Sequence, residues 1–440
     1  MGKLLNTKLF ALAILALVLI YAVSQVEWKV NERRATRDGV VQSIADQYAR
    51  EQQLVGPLLW VKCSEPASVI ETDANGSRRR LVSHDCSRII RPDSLTGQGT
   101  LGVSARYLGI YTAHIYTAAL QMHAVIPSFT AQPGQTIEAA DLIFGVGDPR
   151  GIKQVRIVTA DGRELAAQPG IPGGPVQYGF HVPLDPAALN TARDLKLELE
   201  IAGSGRLDLA PVASDNDLSL QSTWPHPSFT GRFLPETREV SIAGFSARWR
   251  VNDFATGGDR VLTDKSPGMD QPANWLSDSL GVSLIDPVDS YTQTDRAVRY
   301  GFLFVLLTLG GFFLFEMIKR KPVHPLQYML IGFAVVLFFL LLLALSEHIA
   351  FSLAYGIAAG ACVLLITTYG RSMVGSWLGA LALGIGYATL YCGLYLILAS
   401  EDYALLLGTW LVFVLLALTM WLTRRLDWHA AEGIDGEHAA

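Results

Sequence analysis

Apolar residues are concentrated in a C-terminal stretch, where hydrophobic runs alternate with short polar segments. Five runs stand out there, at residues 300–318, 326–345, 349–368, 377–398 and 404–422. As helices of about 19–22 residues they match the roughly 30 Å hydrocarbon core of a bilayer. A segment in lipid must pair its own backbone polar groups, so each run is predicted to be a transmembrane helix. Together they predict a bundle of five transmembrane helices over residues 299–422 and a short tail, residues 423–440.

Another apolar run, residues 9–23, follows two lysines near the N-terminus. Ala22 and Ser24 have the spacing of a signal-peptidase site, so a cleaved signal peptide is one interpretation. The run is long for a signal sequence, and apolar residues recur at helical spacing beyond it, over residues 26–53. We therefore favour an uncleaved N-terminal transmembrane anchor, residues 1–26, that continues outward as a helix.

Residues 27–298 have an ordinary globular composition, rich in glycine, proline and charged residues. After the leading helix, short runs of β-branched and aromatic residues alternate with turn residues, which predicts antiparallel strands in a sandwich-like domain. Ala160-Asp161-Gly162 is predicted to be the turn of a hairpin. The predicted strands are residues 100–107, 112–121, 155–158, 195–201, 240–242 and 246–251. The fold class is therefore an integral membrane protein with a large β-rich domain between membrane helices.

Basic residues occupy alternate loops of the predicted bundle. The loops at residues 346–348 and 400–402 contain no lysine or arginine, and the loops on the other side contain Lys319, Arg320, Lys321, Arg371, Arg424 and Arg425. The positive-inside rule then predicts that both termini are cytoplasmic and that residues 27–298 are periplasmic. The local count beside the first helix disagrees because four basic residues lie in residues 29–37, but long translocated domains follow the rule poorly.

Cysteine content and charge limit the chemistry. Cys63 and Cys86 lie in the predicted periplasmic domain and are a candidate disulfide, with two free thiols as the alternative. No Cys-x-x-Cys, zinc spacing or haem motif is present, so the sequence supports neither a metal nor a cofactor. The formal net charge of −5 gives no indication of a nucleic-acid partner.

His226 and Ser228 could suggest acyl transfer, but no Gly-x-Ser-x-Gly or Ser-x-x-Lys accompanies them. The two prolines around His226 favour a rigid loop, so Trp224, His226 and Phe229 are predicted to contact a partner or to support the structure. Asp215-Asn216-Asp217 could contribute to a calcium site, but the rest of a calcium-loop spacing is absent, so a solvated turn is the favoured interpretation.

Glu316 is an ionisable residue within a predicted membrane helix. An ion pathway is one interpretation; an i,i+4 pair with Arg320 near the cytoplasmic surface is the simpler one. Gly356 and Gly360 form a small-xxx-small pattern that favours close packing between helices. Further partner-contact candidates lie on the short periplasmic turns, either as a shared acidic patch or as solvated residues: Glu347, His348, Glu401, Asp402 and Tyr403.

Strings of residues along nearly the whole chain resemble the CreD family of Gram-negative inner-membrane proteins. The two most specific strings begin at Trp224 and Ser400, and a supporting string begins at Asp148; they read Trp-Pro-His-Pro-Ser-Phe, Ser-Glu-Asp-Tyr-Ala-Leu-Leu-Leu-Gly and Asp-Pro-Arg-Gly-Ile. The resemblance implies a role in cell-envelope integrity and colicin tolerance, and expression linked to β-lactam stress. It brings no catalytic residues. The Cys63–Cys86 pair is not part of the family pattern.

The favoured hypothesis is therefore a non-enzymatic inner-membrane protein that supports the envelope. Its β domain would contact a periplasmic or outer-envelope partner while the bundle lies in the lipid bilayer. Two alternatives stay open. One is a transporter or flippase for an envelope component, and the other is a membrane-surface enzyme acting on a cell-wall or lipid-linked substrate.

Overall fold

The computed structural model describes residues 2–73, 76–256, 261–263, 278–284, 290–319, 323–400 and 403–424. The chain divides into a helical unit, Met1–Asp38 with Val288–Ala440, and a β unit, Gly39–Pro287. The described helices are α1 Gly2–Gln47, α2 Asp253–Thr256, α3 Ser290–Arg299, α4 Gly301–Lys319, α5 Pro325–Ser346, α6 Phe351–Val374, α7 Trp377–Ala399 and α8 Ala404–Thr423.

The N-terminal apolar run and the segment after it form one continuous helix, α1. Leu19, Val23, Val26 and Val30 are buried, at spacings of three and four residues that place them on one helical face. Leu19 packs on Gly332 of α5, where an added Cβ would lie 2.1 Å from its Cδ1. This part of α1 is therefore an integral helix of the helical unit.

The C-terminal region is helical and apolar, as predicted. Among the described residues, four helices are long and apolar enough to cross a membrane: Lys8–Gln47 in α1, Pro325–Ser346, Phe351–Ser372 and Trp377–Ala399. A fifth span results if Ser290–Arg299 and Gly301–Met317, bent by 42°, count as one. α8 contributes the shorter apolar helix Leu406–Trp421. The C-terminal region thus has three or four apolar spans, and a fifth stays a prediction.

The strands of the β unit are long and mostly antiparallel. In chain order they are β1 Gln52–Asp73, β2 Gly76–Ile90, β3 Ser94–Leu108, β4 Tyr111–Ile126, β5 Thr136–Gly145, β6 Ile152–Thr159, β7 Glu164–Leu165, β8 Gln168–Pro169, β9 Gly179–Leu184, β10 Arg193–Ser204, β11 Arg206–Leu209, β12 Asp215–Ser222, β13 Pro227–Gly231, β14 Thr237–Ser241, β15 Gly244–Asn252, β16 Val261–Thr263 and β17 Leu280–Leu284. Each of the six predicted strands overlaps one of these.

Two sheets form from the described strands. Sheet I has the order β13-β17-β11-β1-β5-β9-β8, with β2 paired to β1 and β16 paired to β2. Sheet II has the order β14-β15-β12-β3-β4-β10-β6-β7. Inward side chains of both sheets form one continuous hydrophobic core, which includes Leu58 and Ile143 of sheet I and Leu120 and Trp249 of sheet II. The sandwich-like architecture predicted from the strand pattern is confirmed.

Two turn predictions have different outcomes. The hairpin at residues 160–162 is confirmed, because Ile157 pairs with Leu165 around a turn in which Gly162 has φ +84°. The solvated turn at residues 215–217 is wrong, because these residues begin β12. Asn216 is fully buried there and its amide donates to the main-chain oxygens of Ala213 and Val251, so the local structure satisfies a polar residue inside the sandwich.

Candidate functional site

The outer face of sheet II carries a continuous row of polar side chains. Buried and more exposed residues alternate along β10 and β12, so every second side chain points away from the core. Residues on adjacent strands are directly paired, which places their outward side chains side by side. The resulting polar row consists of Thr237, Arg248, Ser219, Gln98, Gln121, Glu198 and Arg156.

The polar row is wide and open. It crosses seven adjacent strands, and a strand spacing of about 4.8 Å gives it a length of roughly 29 Å. All of its members except Arg156 line a hollow of about 790 Å³ on the sheet surface. No Phe, Tyr or Trp belongs to the row, so it offers hydrogen bonds rather than stacking surfaces to a ligand.

Two arginines of the row form ion pairs within the sheet. Arg248 Nε lies 2.7 Å from Asp217 Oδ1, and Arg156 Nη1 lies 3.6 Å from Glu198 Oε2. The hydrogen bond from Arg248 lowers the pKa of Asp217, which is therefore held as a carboxylate. Gln98 and Gln121, at the centre of the row, are exposed amides that can both donate and accept hydrogen bonds.

One ion-pair cluster in the helical unit contains Glu347, at the end of α5. Its Oε1 lies 3.6 Å from Nε of Arg33 and accepts a hydrogen bond of 3.2 Å from Tyr291. The guanidinium of Arg37 lies 5.6 Å from the centre of the Tyr291 ring. With 9% of its side chain exposed, Glu347 is not the solvated turn residue that the sequence suggested.

The other residues predicted beside Glu347 differ in their surroundings. His348 and Tyr403 are exposed, the latter by 65%. Glu401 and Asp402 lie outside the described residues, so the shared acidic patch stays a prediction.

A second cluster contains Glu316 of α4. Lys8 of α1 donates to Oε1 of Glu316, and Tyr328 of α5 donates to Oε2 over 2.7 Å. Lys8 also donates to the main-chain oxygen of Val323 over 2.9 Å. The predicted partner Arg320 lies outside the described residues. Two other helices thus contribute partners to this carboxylate, as expected for a structural ion pair, and the ion pathway stays an untested alternative.

The small-xxx-small pattern of α6 faces open space. A Cβ added to Gly356 or Gly360 would meet no described atom within 4 Å. Both glycines line an apolar groove of about 660 Å³ between α6 and α7, together with Tyr355 and Tyr391. The prediction that these glycines pack closely within the bundle is therefore wrong for the described helices.

Comparison with known proteins decides the family. The family model of the inner membrane protein CreD matches residues 4–429. The inner membrane protein CreD of Escherichia coli (strain K12) is 35% identical over 432 residues, which cover 96% of this chain and 93% of that protein. The chain belongs to the CreD family. It is accordingly an inner-membrane protein with an N-terminal apolar helix, a β-rich unit and C-terminal apolar helices.

The Trp224 string of this CreD-family chain packs against sheet II. The ring centres of Trp224 and His114 are 4.5 Å apart, and the indole nitrogen of Trp224 donates to the main-chain oxygen of His226. The His226 ring is exposed and lies edge-on to the indole. Phe229, on β13, contacts Phe245 edge-on and is partly buried against the core. Phe229 therefore contributes to core packing. Trp224 and His226 remain predicted partner-contact residues.

A further string of the CreD-family resemblance forms a buried polar clamp. Asp148 precedes the short 3-10 helix Pro149–Gly151 and accepts hydrogen bonds from the main chain and side chain of Arg150. The Gln52 amide donates to the main-chain oxygens of Asp148 and Ala202, each over 3.0 Å. Local sequence does not reveal these contacts, because Gln52 and Asp148 are 96 residues apart.

Cys63 and Cys86 are bonded as a disulfide in this CreD-family chain. They are direct neighbours across β1 and β2, and both side chains are buried. Gln135 Nε2 lies 3.2 Å from Sγ of Cys63. The disulfide therefore links the two paired strands of a long hairpin.

Proposed function

We propose that this CreD-family chain is a non-catalytic protein that supports cell-envelope integrity by binding an extended polar polymer of the envelope. The polar row of sheet II carries this proposal. Its regularly spaced hydrogen-bonding groups suit a ligand that repeats along its length, such as a glycan chain. Because the hollow is open and roughly 29 Å long, it suits a polymer better than an enclosed small molecule.

The proposal places the β unit in the periplasm and both termini in the cytoplasm. The basic residues of the alternate loops support this orientation. The disulfide supports it too, since such bonds persist in oxidising compartments. The basic residues just outside the first helix favour the opposite orientation. One of them is Arg33, whose positive charge is offset locally by its ion pair with Glu347.

The groups near the polar row support binding rather than catalysis. A general base needs a pKa near the working pH. Hydrogen bonding from Arg248 lowers the pKa of Asp217, which leaves this carboxylate a weak base. At the other candidate position, Ser228 lies in β13, directly paired with Ser283. A strand residue in regular pairing lacks the sharp turn that exposes the serine of a nucleophile elbow.

The test uses the full-length protein in lipid nanodiscs, with purified peptidoglycan and lipopolysaccharide as probes. The double variant Gln98→Ala with Gln121→Ala removes the two central amides of the polar row. Loss of these hydrogen bonds should weaken binding roughly tenfold. Gln168→Ala is the matched control, because Gln168 is an exposed glutamine on β8 of sheet I.

Equal binding by the double variant and the wild type would contradict the proposed site. Absence of binding to either polymer would contradict the proposed ligand class. Release of a modified product from the polymer would support the enzymatic alternative. Protein-dependent movement of a lipid-linked precursor across vesicles would support the flippase alternative.

A further inference from the structure

β3 and β4 extend beyond the sheet that contains them. β3 pairs with β12 only as far as Leu101, and β4 pairs with β10 only from Ile115 onward. The two strands continue to pair with each other as far as Leu108 and Tyr111. Residues 102–114 therefore form a two-stranded ribbon, which extends about 20 Å beyond the pairing with neighbouring strands. Its base still packs on the core through Val103.

The ribbon ends in apolar side chains that face outward. Tyr107 is 74% exposed, Leu108 is 50% exposed and Ile110 is 46% exposed. Arg106 is also exposed, and residues 102–114 contain no aspartate or glutamate. A two-stranded ribbon is only marginally stable alone in water, and clustered exposed apolar residues commonly mark an interaction surface. The tip therefore has the composition of a contact site.

The base of the ribbon lies where the chain enters and leaves the β unit. The main-chain oxygen of His114 accepts from Gly205, and the oxygen of Gly205 accepts from Leu284, the last residue of β17. The neighbouring Ser204 donates to the main-chain oxygen of Arg50, just after α1 ends. The connections to the apolar helices before and after the β unit thus both attach at the end from which the ribbon projects.

A second apolar tip lies at the same end of sheet II. Ser222 pairs with both Leu101 and Phe245, so the β14–β15 turn lies level with the base of the ribbon. In and beside that turn, Val240 is 51% exposed and Ile242 is 98% exposed. Two hairpins therefore present apolar residues on the side of the β unit that carries the membrane connections.

We propose that the ribbon tip, Tyr107, Leu108 and Ile110, inserts into the interfacial region of the bilayer that holds the chain's own helices. Tyrosine prefers the headgroup level of a membrane, and aliphatic side chains gain by entering the acyl region. Arg106 can pair with lipid phosphates, and the absence of acidic residues in the ribbon avoids repulsion from anionic lipids. Both connections tether the β unit to helices of the same bilayer, which raises the effective concentration of the tip at that membrane. This inference does not depend on the ligand of the polar row.

The test measures the depth of a spin label on the full-length protein in nanodiscs of phosphatidylethanolamine and phosphatidylglycerol. The label is attached to Ile110→Cys, with Cys392→Ser removing the exposed native thiol. Phe254→Cys in the same background is the control. Phe254 is 99% exposed just beyond the opposite end of β15. The ratio of oxygen to water-soluble nickel accessibility should be several-fold higher at position 110 than at position 254.

Equal ratios at the two positions would overturn the proposal. So would a label at position 110 that is exposed to water in nanodiscs but shielded in native membranes, because that result assigns the tip to a protein partner. Tyr107→Cys provides a second labelling position on the same tip if Ile110→Cys does not fold. The lipid-inserted result is expected there as well.

Discussion

Arg150 donates a hydrogen bond from Nη1 to the main-chain oxygen of Asp46, with the two atoms 2.5 Å apart. Asp46 belongs to the last turn of α1, where carbonyl groups have no partner within the helix. A cation at this position also offsets the negative end of the helix dipole. Arg150 is in turn held by Asp148, whose side chain is 7% exposed. The last turn of α1, which lies within the β unit, is thus fastened through Arg150 to the segment that precedes β6.

Arg150→Ala should destabilise the β unit. The substitution leaves the Asp148 carboxylate buried without its guanidinium partner and removes the bond to the end of α1. We expect a loss in the free energy of unfolding that clearly exceeds the loss in Arg156→Ala, measured by denaturant unfolding of the full-length protein in detergent. Arg156→Ala is the control, because its exposed ion pairs should contribute less than about 1 kcal/mol. Equal losses for both variants would refute the clamp.

The acid sensitivity of the β unit should depend on Asp148. Hydrogen bonding from Arg150 lowers the pKa of Asp148 to about 2. Because this folded-state pKa lies below the unfolded value of about 3.9, the carboxylate stabilises the fold above about pH 4. That contribution, about 2 kcal/mol, is lost as the pH falls through about 2. Asp148→Asn should therefore lower stability at neutral pH and flatten its decline between pH 4 and pH 2.

Asp141→Asn is the matched control for the pH experiment. Burial raises the pKa of Asp141, so the folded state binds this proton more readily than the unfolded state does. Its ionisation therefore opposes folding at neutral pH, which is the reverse of the effect of Asp148. The free energy of unfolding of both variants is measured from pH 2 to pH 7. A flattened acid limb in Asp141→Asn, but not in Asp148→Asn, would contradict the assignment.

Exchanging the two charges of the Lys8–Glu316 ion pair should preserve the interaction. Lys8→Glu and Glu316→Lys each place like charges together, and each should cost on the order of 2 kcal/mol. The double variant restores an opposite pair and should recover most of that loss. Thermal unfolding in detergent measures all three variants. If the loss of stability in the double variant equals the sum of the losses in the two single variants, the two side chains do not interact.

The contact between Leu19 and Gly332 should tolerate no added side chain. Gly332→Ala forces a Cβ against Leu19 and should cost about 1–3 kcal/mol by overpacking. Adding Leu19→Ala should relieve part of this cost. Gly356→Ala is the control, because its Cβ enters the open groove beside α7. Thermal unfolding that is insensitive to Gly332→Ala would show that α1 does not pack on α5.

Local sequence patterns predicted individual helices and strands better than they predicted which elements contact each other. The apolar runs revealed α5, α6 and α7 because a membrane span needs an uninterrupted hydrophobic length. Alternation revealed β10, where buried and exposed residues follow each other from Leu195 to Leu199. The hairpin of β1 and β2 was missed, since β1 near Leu58 is buried on both faces and does not alternate.

Long-range polar partners could not be predicted from the sequence. Lys8 and Glu316 are 308 residues apart, and no local spacing connects them. The same is true of Gln52 and Ala202, which meet only because β1 and β10 enclose one core. The polar row is likewise a product of strand order. Its members become neighbours when β3 pairs in parallel with β12, a pairing that hairpin signals do not indicate.

The periplasmic location of the β unit is the claim on which the proposed function depends, and cysteine labelling in intact cells tests it directly. In a Cys392→Ser background, Phe254→Cys places an exposed thiol on the β unit, and Ser372→Cys places one at the predicted cytoplasmic end of α6. The reagent is a charged maleimide that crosses the outer but not the inner membrane. We expect labelling of position 254 in intact cells and of position 372 only after permeabilisation. Labelling of position 372 alone in intact cells would contradict the account.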